Sequence, residues 1–279
     1  MPQRDEADMT EDLSLFETAV HARPVKLQEP ALDVVIVALD GSNQDGTARA
    51  VATALAERVG ARVEEHSAAQ TAADVQQYCH IHQGSLVVVP APFGTDRSDL
   101  RDESLGSVVD MLLMECPVPL LCVRDVLDGE AVKAVVKNLL IPLHVPDEGA
   151  TRAASWALKL LARGGRLDLL AVADLDVIGE AQKLLGKAIA TEATETEALG
   201  LAAIKEFGNL IGPVQKRGES LGLTVHVESR VGRGSQVVLE SANASPRLLV
   251  TSAPKDHTAP AFHRAMDLVL GSRGPVLVV

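Results

Sequence analysis

An α/β fold with mainly parallel sheets, laid out as two tandem units with the first copy shortened, follows from three observations. Short β-branched and aliphatic runs alternate with segments of helical period. Glycines punctuate the ends of those segments. The order of segments then starts again near the middle of the chain. Strands buried on both faces of a parallel sheet show continuous apolar runs rather than alternation. Strand and helix in turn imply parallel strands joined by right-handed crossovers.

The first strand is the run 33–39, closed by a turn at Asp40-Gly41-Ser42. A helix over 45–59 ends at Gly60, a glycine of the kind that terminates helices in a left-handed conformation. The segments 61–66, 71–83, 86–89, 106–115 and 118–123 read as strand, helix, strand, helix and closing strand. The second round opens with a strand at 138–143, a helix at 148–162 and a strand at 167–172. A long helical region over about 177–220 follows, with Gly212-Pro213 expected to kink or break it. Strands at 223–227, 248–251 and 276–279, with helices at 235–244 and 262–270, complete the chain.

Two registers support the repeat. One constant shift sets Leu39 on Leu143, Thr47 on Thr151, Gly60 on Gly164 and Arg62 on Arg166. A larger shift sets Ala91-Pro92 on Ala253-Pro254, so the second copy carries an extra helix and strand. The shift then shrinks, setting Pro119 on Pro275 and Val123 on Val279, so the second copy is shorter between Pro254 and Pro275. The expected organisation is a tail over 1–31, a shortened first domain over 32–125, a linker over 126–136 and a second domain over 137–279. Within the tail, Thr10 is placed to cap a short helix with Leu13, Phe16 and Val20 on one face.

Composition narrows the function. The chain has 279 residues, 47% of them hydrophobic, enough for real cores. A formal net charge of -12 opposes phosphate backbones, and 2% aromatics leaves few platforms for stacked bases, so nucleic acid is not the expected partner. The first residues are acidic and lack the apolar core of a secretory signal, and no apolar run reaches the ~20 residues of a membrane span. Three cysteines, Cys79, Cys116 and Cys122, suggest free thiols in a reducing compartment, with the cytoplasm as the expected location.

The words Val37-Ala38-Leu39-Asp40-Gly41-Ser42, Leu105-Gly106-Ser107-Val108-Val109-Asp110 and the run 116–123 resemble the universal stress protein family. Leu140-Ile141-Pro142-Leu143 and the closing run 274–279 resemble the same start and end in the second copy. The resemblance spans about 32–279 and implies two tandem Rossmann-like domains paired through their closing strands as an intramolecular pseudo-dimer. A further homo-oligomer is expected, since edge strands seek partners. The wording around Gly106 also resembles a subset of paired domains attached to membrane transporters, which implies a transporter or another regulatory protein as partner.

Many members of that family bind ATP through a G-x2-G-x9-G-[ST] pattern, whose glycine amides and helix N-terminus favour phosphate. The resemblance assigns Asp40, Gly94, Gly106 and Ser107 to this role in the first copy, with ATP or AMP as ligand and no cofactor required. Arg97 stands where the middle glycine belongs, the loop is one residue short, and Asp96, Asp99, Asp102 and Glu103 outweigh Arg97 and Arg101 there. A negative loop repels a triphosphate. The same residues also read as a plain turn at Asp40-Gly41 and a plain helix start at Gly106-Ser107. In the second copy His144 replaces the aspartate and Phe262-His263 replaces the glycine-serine pair, so that half has lost the family's site.

Other constellations read as ordinary surface or core. His80 and His82 point to different faces of a helix. His257 and His263 with Lys255, Arg264 and Arg273 make a mildly basic corner. Gly232-Arg233-Gly234-Ser235 precedes a helix and reads as a loop with a cap, or as an anion cradle. No nucleophile stands beside a base in any recognisable motif. The expectation is a non-catalytic stress-response or regulatory binding module; the alternatives are a cytosolic regulatory domain of a membrane transporter and a weak ATPase.

Overall fold

The computed structural model describes residues 25–67, 69–94, 105–145, 147–175, 178, 193–253 and 258–279. The strands are β1 (Val34–Ala38), β2 (Arg62–His66), β3 (Leu86–Pro90), β4 (Leu120–Val123), β5 (Asn138–Leu143), β6 (Arg166–Asp174), β7 (Thr224–Gly232), β8 (Leu248–Thr251) and β9 (Val276–Val278). The helices are α1 (Asp45–Val59), α2 (Ala72–Ile81), α3 (Ser107–Glu115), α4 (Gly129–Val135), α5 (Glu148–Leu160), α6 (Ala193–Glu206), α7 (Gly208–Ser220), α8 (Gly234–Asn243) and α9 (Pro260–Gly271).

Among the described residues the strands form one sheet in the order β2-β1-β3-β4-β9-β8-β5-β6-β7. Neighbours within β2-β1-β3-β4 and within β9-β8-β5-β6-β7 are parallel. The two groups meet at β4 and β9, which pair antiparallel with Leu121 opposite Leu277.

Side chains alternate between two cores because successive strand residues point to opposite faces. Val35, Val37, Leu121 and Leu277 pack with the inner faces of α1, α4, α5 and α7. Val34, Ile36, Cys122 and Val276 pack with α2, α3, α8 and α9. Each core therefore runs across the β4–β9 pairing. Polar bonds cross the halves as well: Arg58 Nε donates to the Leu161 carbonyl at 3.0 Å, and Arg124 donates to the carbonyl of Leu270.

The second half holds the extra strand expected from the repeat registers, β7, reached through α6 and α7. The expected break at Gly212-Pro213 falls instead at Phe207-Gly208. Phe207 is driven into the core, Gly208 opens α7, and Pro213 is carried inside α7. The segment expected as linker contains α4, whose first turn is held by Asp128 accepting from the Ala131 amide at 2.8 Å. Val132 and Val135 bury its inner face. The short tail helix at Thr10 lies outside the described residues.

Candidate functional site

In an open α/β sheet the crevice for a ligand lies beyond the carboxyl ends of the strands, where the strand order reverses. Two such reversals exist among the described residues. β1 sits between β2 and β3, and β5 sits between β6 and β8. Asp40 follows β1 and His144 follows β5.

At the first reversal the chain turns tightly. Gly41 takes φ 85, and Asp40 Oδ1 accepts from the Ser42 amide at 3.0 Å, the local bond that favours aspartate in turns. Asp45, first in α1, accepts from the Gly41 amide at 2.9 Å and the Asp40 amide at 3.3 Å. Burial pushes the Asp45 carboxyl above the usual carboxylate range, against the pull of those two amides, and the neighbouring Asp40 adds to the rise. Two acidic side chains thus share this corner.

Asp40 Oδ2 accepts from the Gly94 amide at 2.5 Å. Gly94 follows β3 with φ 72, a conformation that a side chain would strain. The fold therefore brings Asp40 and Gly94 into direct contact, and the carboxylate occupies the glycine amide that the family pattern offers to phosphate. Gly106, with φ 81, immediately precedes α3; Ser107 is the exposed first residue of that helix. Residues 95–104 separate Gly94 from this helix start; Arg97 and the acidic side chains expected there lie outside the described residues.

Sequence reasoning passed over Asp110, in the first turn of α3. Burial raises its carboxyl pKa, and its Oδ1 is sealed from solvent without a hydrogen bond. The signal was an aspartate at an otherwise apolar position, one turn into a helix.

The second reversal is built differently. His144 keeps some exposure as a residue, yet both ring nitrogens are sealed from solvent and make no hydrogen bond. Burial lowers its pKa to about 4; nearby Arg264 lowers it further, while Asp174 opposes the shift. The imidazole is therefore neutral at ordinary pH. Phe262 is buried inside α9, which begins earlier at Pro260, so no glycine cradle forms there. Gly234 opens α8 against Asp174: a Cβ on Gly234 would lie 2.4 Å from Asp174 Oδ2. The candidate cradle at 232–235 thus already faces a carboxylate of the fold. Ser235 Oγ donates to Asp267 at 3.2 Å.

The remaining candidates are dispersed. His80 is exposed, whereas His82 stacks on Tyr78 with centroids 4.0 Å apart. Lys255 and His257 lie outside the described residues. The three cysteines are free, and burial pushes Cys116 up to about 11 and Cys122 up to about 12, so neither thiol ionises readily. Among the described residues no three His, Cys, Asp or Glu side chains gather to hold a metal ion, and no helix is long and apolar enough to cross a membrane.

No protein-family model matches the chain, and no curated protein matches it. Among solved structures, it is similar to a universal stress protein from Archaeoglobus fulgidus DSM 4304, with 12% identity over 88% of this chain and 95% of that one, at a TM-score of 0.54. A functionally unknown protein from Pseudomonas aeruginosa PAO1 aligns over 100% of this chain and 89% of that one, with 12% identity and a TM-score of 0.49. The likeness to the Archaeoglobus protein shows a universal-stress-protein-like α/β fold.

Proposed function

We propose that the chain is a non-catalytic regulatory binding module of the stress-response type, with a weak adenine-nucleotide site in its first half. The observation that carries this reading is that Asp40 and Gly94 lie together at the strand-order reversal beside β1, where an open α/β sheet forms its ligand crevice. Gly106 and Ser107, at the N-terminus of α3, supply the phosphate side of the site. Three features weaken it: the acidic pair Asp40 and Asp45, the Gly94 amide already held by Asp40, and the net negative charge of the sequence between Gly94 and Gly106.

ATP or AMP is therefore a low-affinity ligand, and the module acts through a protein partner; a membrane transporter or another regulatory protein fits this role. Each tenfold loss of affinity is about 1.4 kcal/mol, so two poor contacts move a micromolar site towards millimolar. Calorimetry with ATP and AMP on wild type and Gly106→Val tests the reading. The expected result is weak binding that Gly106→Val abolishes, because valine cannot hold φ 81 without strain. Binding that survives this change places the site elsewhere. No heat at millimolar nucleotide ends the nucleotide reading.

A further inference from the structure

The second half departs from the nucleotide pattern but keeps a shaped cleft at its own strand-order reversal. A cavity of about 310 Å³ opens beside His144 at the carboxyl ends of β5 and β6. Its wall is mostly apolar, with Val172, Ala173, Ile178, Leu199 and Ala203 contributing. A smaller void of about 50 Å³ adjoins it on the side of Thr251 and Ser252, and His144 and Arg264 line both.

Ligand sites are typically apolar clefts with a few convergent polar groups. Two such groups converge here. The imidazole of His144 has both nitrogens unpartnered, and the guanidinium of Arg264 is close enough to depress its protonation. A buried polar group without a partner is costly, and natural folds retain few of them.

Asp174 and Glu206 line the cleft together with Arg264, and Asp147 lines the smaller void. Asp174 is engaged within the fold, and Asp147 accepts from the Ala150 amide at 2.8 Å to cap α5. Glu206 is exposed at the rim, where water screens it. Along the cleft the Arg264 guanidinium stands beside apolar side chains and Asp174, with the neutral His144 imidazole next to it, its ring nitrogens sealed. That combination suits a singly charged planar anion carrying hydrocarbon, since a carboxylate matches the guanidinium fork. A phosphate dianion suits it less, because it would bring a second charge past Glu206 with no further cation among the described lining residues to meet it.

We propose that the cleft beyond β5 binds a small carboxylate with an apolar body, the carboxylate on Arg264 and the body against Val172, Leu199 and Ala203. His144 is the second donor; a rotation of its side chain brings one ring N–H from its sealed position into the cleft. The site is separate from the nucleotide site proposed for the first half and differs from it in ligand chemistry.

The test is calorimetry on the full chain with hexanoate, 1-hexanol and inorganic phosphate as probes. Hexanoate should bind; the uncharged alcohol and phosphate should each bind at least about tenfold more weakly, the scale of one charge-assisted hydrogen bond. Arg264→Gln should weaken hexanoate by about tenfold or more, and Arg264→Lys by less, since charge remains but the fork is lost. Thermal unfolding of both variants verifies that they fold. Histidine-selective NMR should show the His144 ring signals moving with hexanoate. Equal hexanoate binding by wild type and Arg264→Gln overturns the assignment, as does phosphate binding in preference to hexanoate. So does the absence of heat up to about 10 mM hexanoate, which is weaker than a built site would give. Titration with ATP reads the other half, and its failure leaves the hexanoate result unaffected.

Discussion

His144 sets a measurable balance between stability and binding. Its ring is sealed without partners, so an apolar side chain of similar size should suit the position better in the absence of ligand. His144→Leu is expected to stabilise the protein at pH 7.5 by about 1–3 kcal/mol, the usual penalty of an unsatisfied buried polar group. The acid side adds a second signature. The folded-state pKa is about 4, against 6.5 for an ordinary histidine. The unfolded chain therefore binds more protons between those values, and folding stability from this residue is full above 6.5 and falls as pH drops through 4. The loss is on the order of 3 kcal/mol. Urea unfolding from pH 7.5 down to 4.5 should show a steeper decline for wild type than for His144→Leu. Equal slopes would mean that the imidazole is hydrated in solution.

At the scale of elements, α4 offers the sharpest check, because the sequence reads there as a connector. Asp128→Ala removes the acceptor that holds the Ala131 amide. It should cost about 1 kcal/mol in urea unfolding, the typical value of an N-cap. No loss would mean that α4 owes its place to Val132 and Val135 alone. The apolar strands were legible because β1, β3, β4 and β8 are buried on both faces and carry nothing but aliphatic side chains, Cys, Thr and Pro. α1 was legible to the residue, with Gly60 at φ 75 ending it. The helix α4 was missed because its seven residues are too few to show a period, and Gly129 at its start reads as a turn. The break at Phe207 was missed because proline is a strong local signal, whereas the burial of Phe207 is a tertiary event. At the first site, Asp40 and Gly94 were readable from a family pattern. Their direct bond was not, since 54 residues separate them and only the adjacency of β1 and β3 joins them. Arg264 entered only as part of a basic corner; no local signal pairs it with His144, which lies on a different element.

For the whole molecule, both cores cross from one half to the other, so the halves should not melt independently. Trp156, the one tryptophan, is buried on α5 in the second half. Its fluorescence and the far-ultraviolet circular dichroism of the full chain are expected to share one urea midpoint. Two separated midpoints would show that the β4–β9 pairing is too weak to couple the halves. That pairing also fixes a direction. Among the described residues every other strand contact is parallel, so the one antiparallel join turns the second group of strands head to tail against the first. The rim bearing Asp40 and the rim bearing His144 consequently face opposite ways. No single small molecule can span them, and the two ligands proposed above would be held on opposite rims without meeting. Any influence of one on the other has to pass along the strands and their shared cores, and it would be felt equally in both directions. The molecule has the geometry of a coupling with two outward sockets.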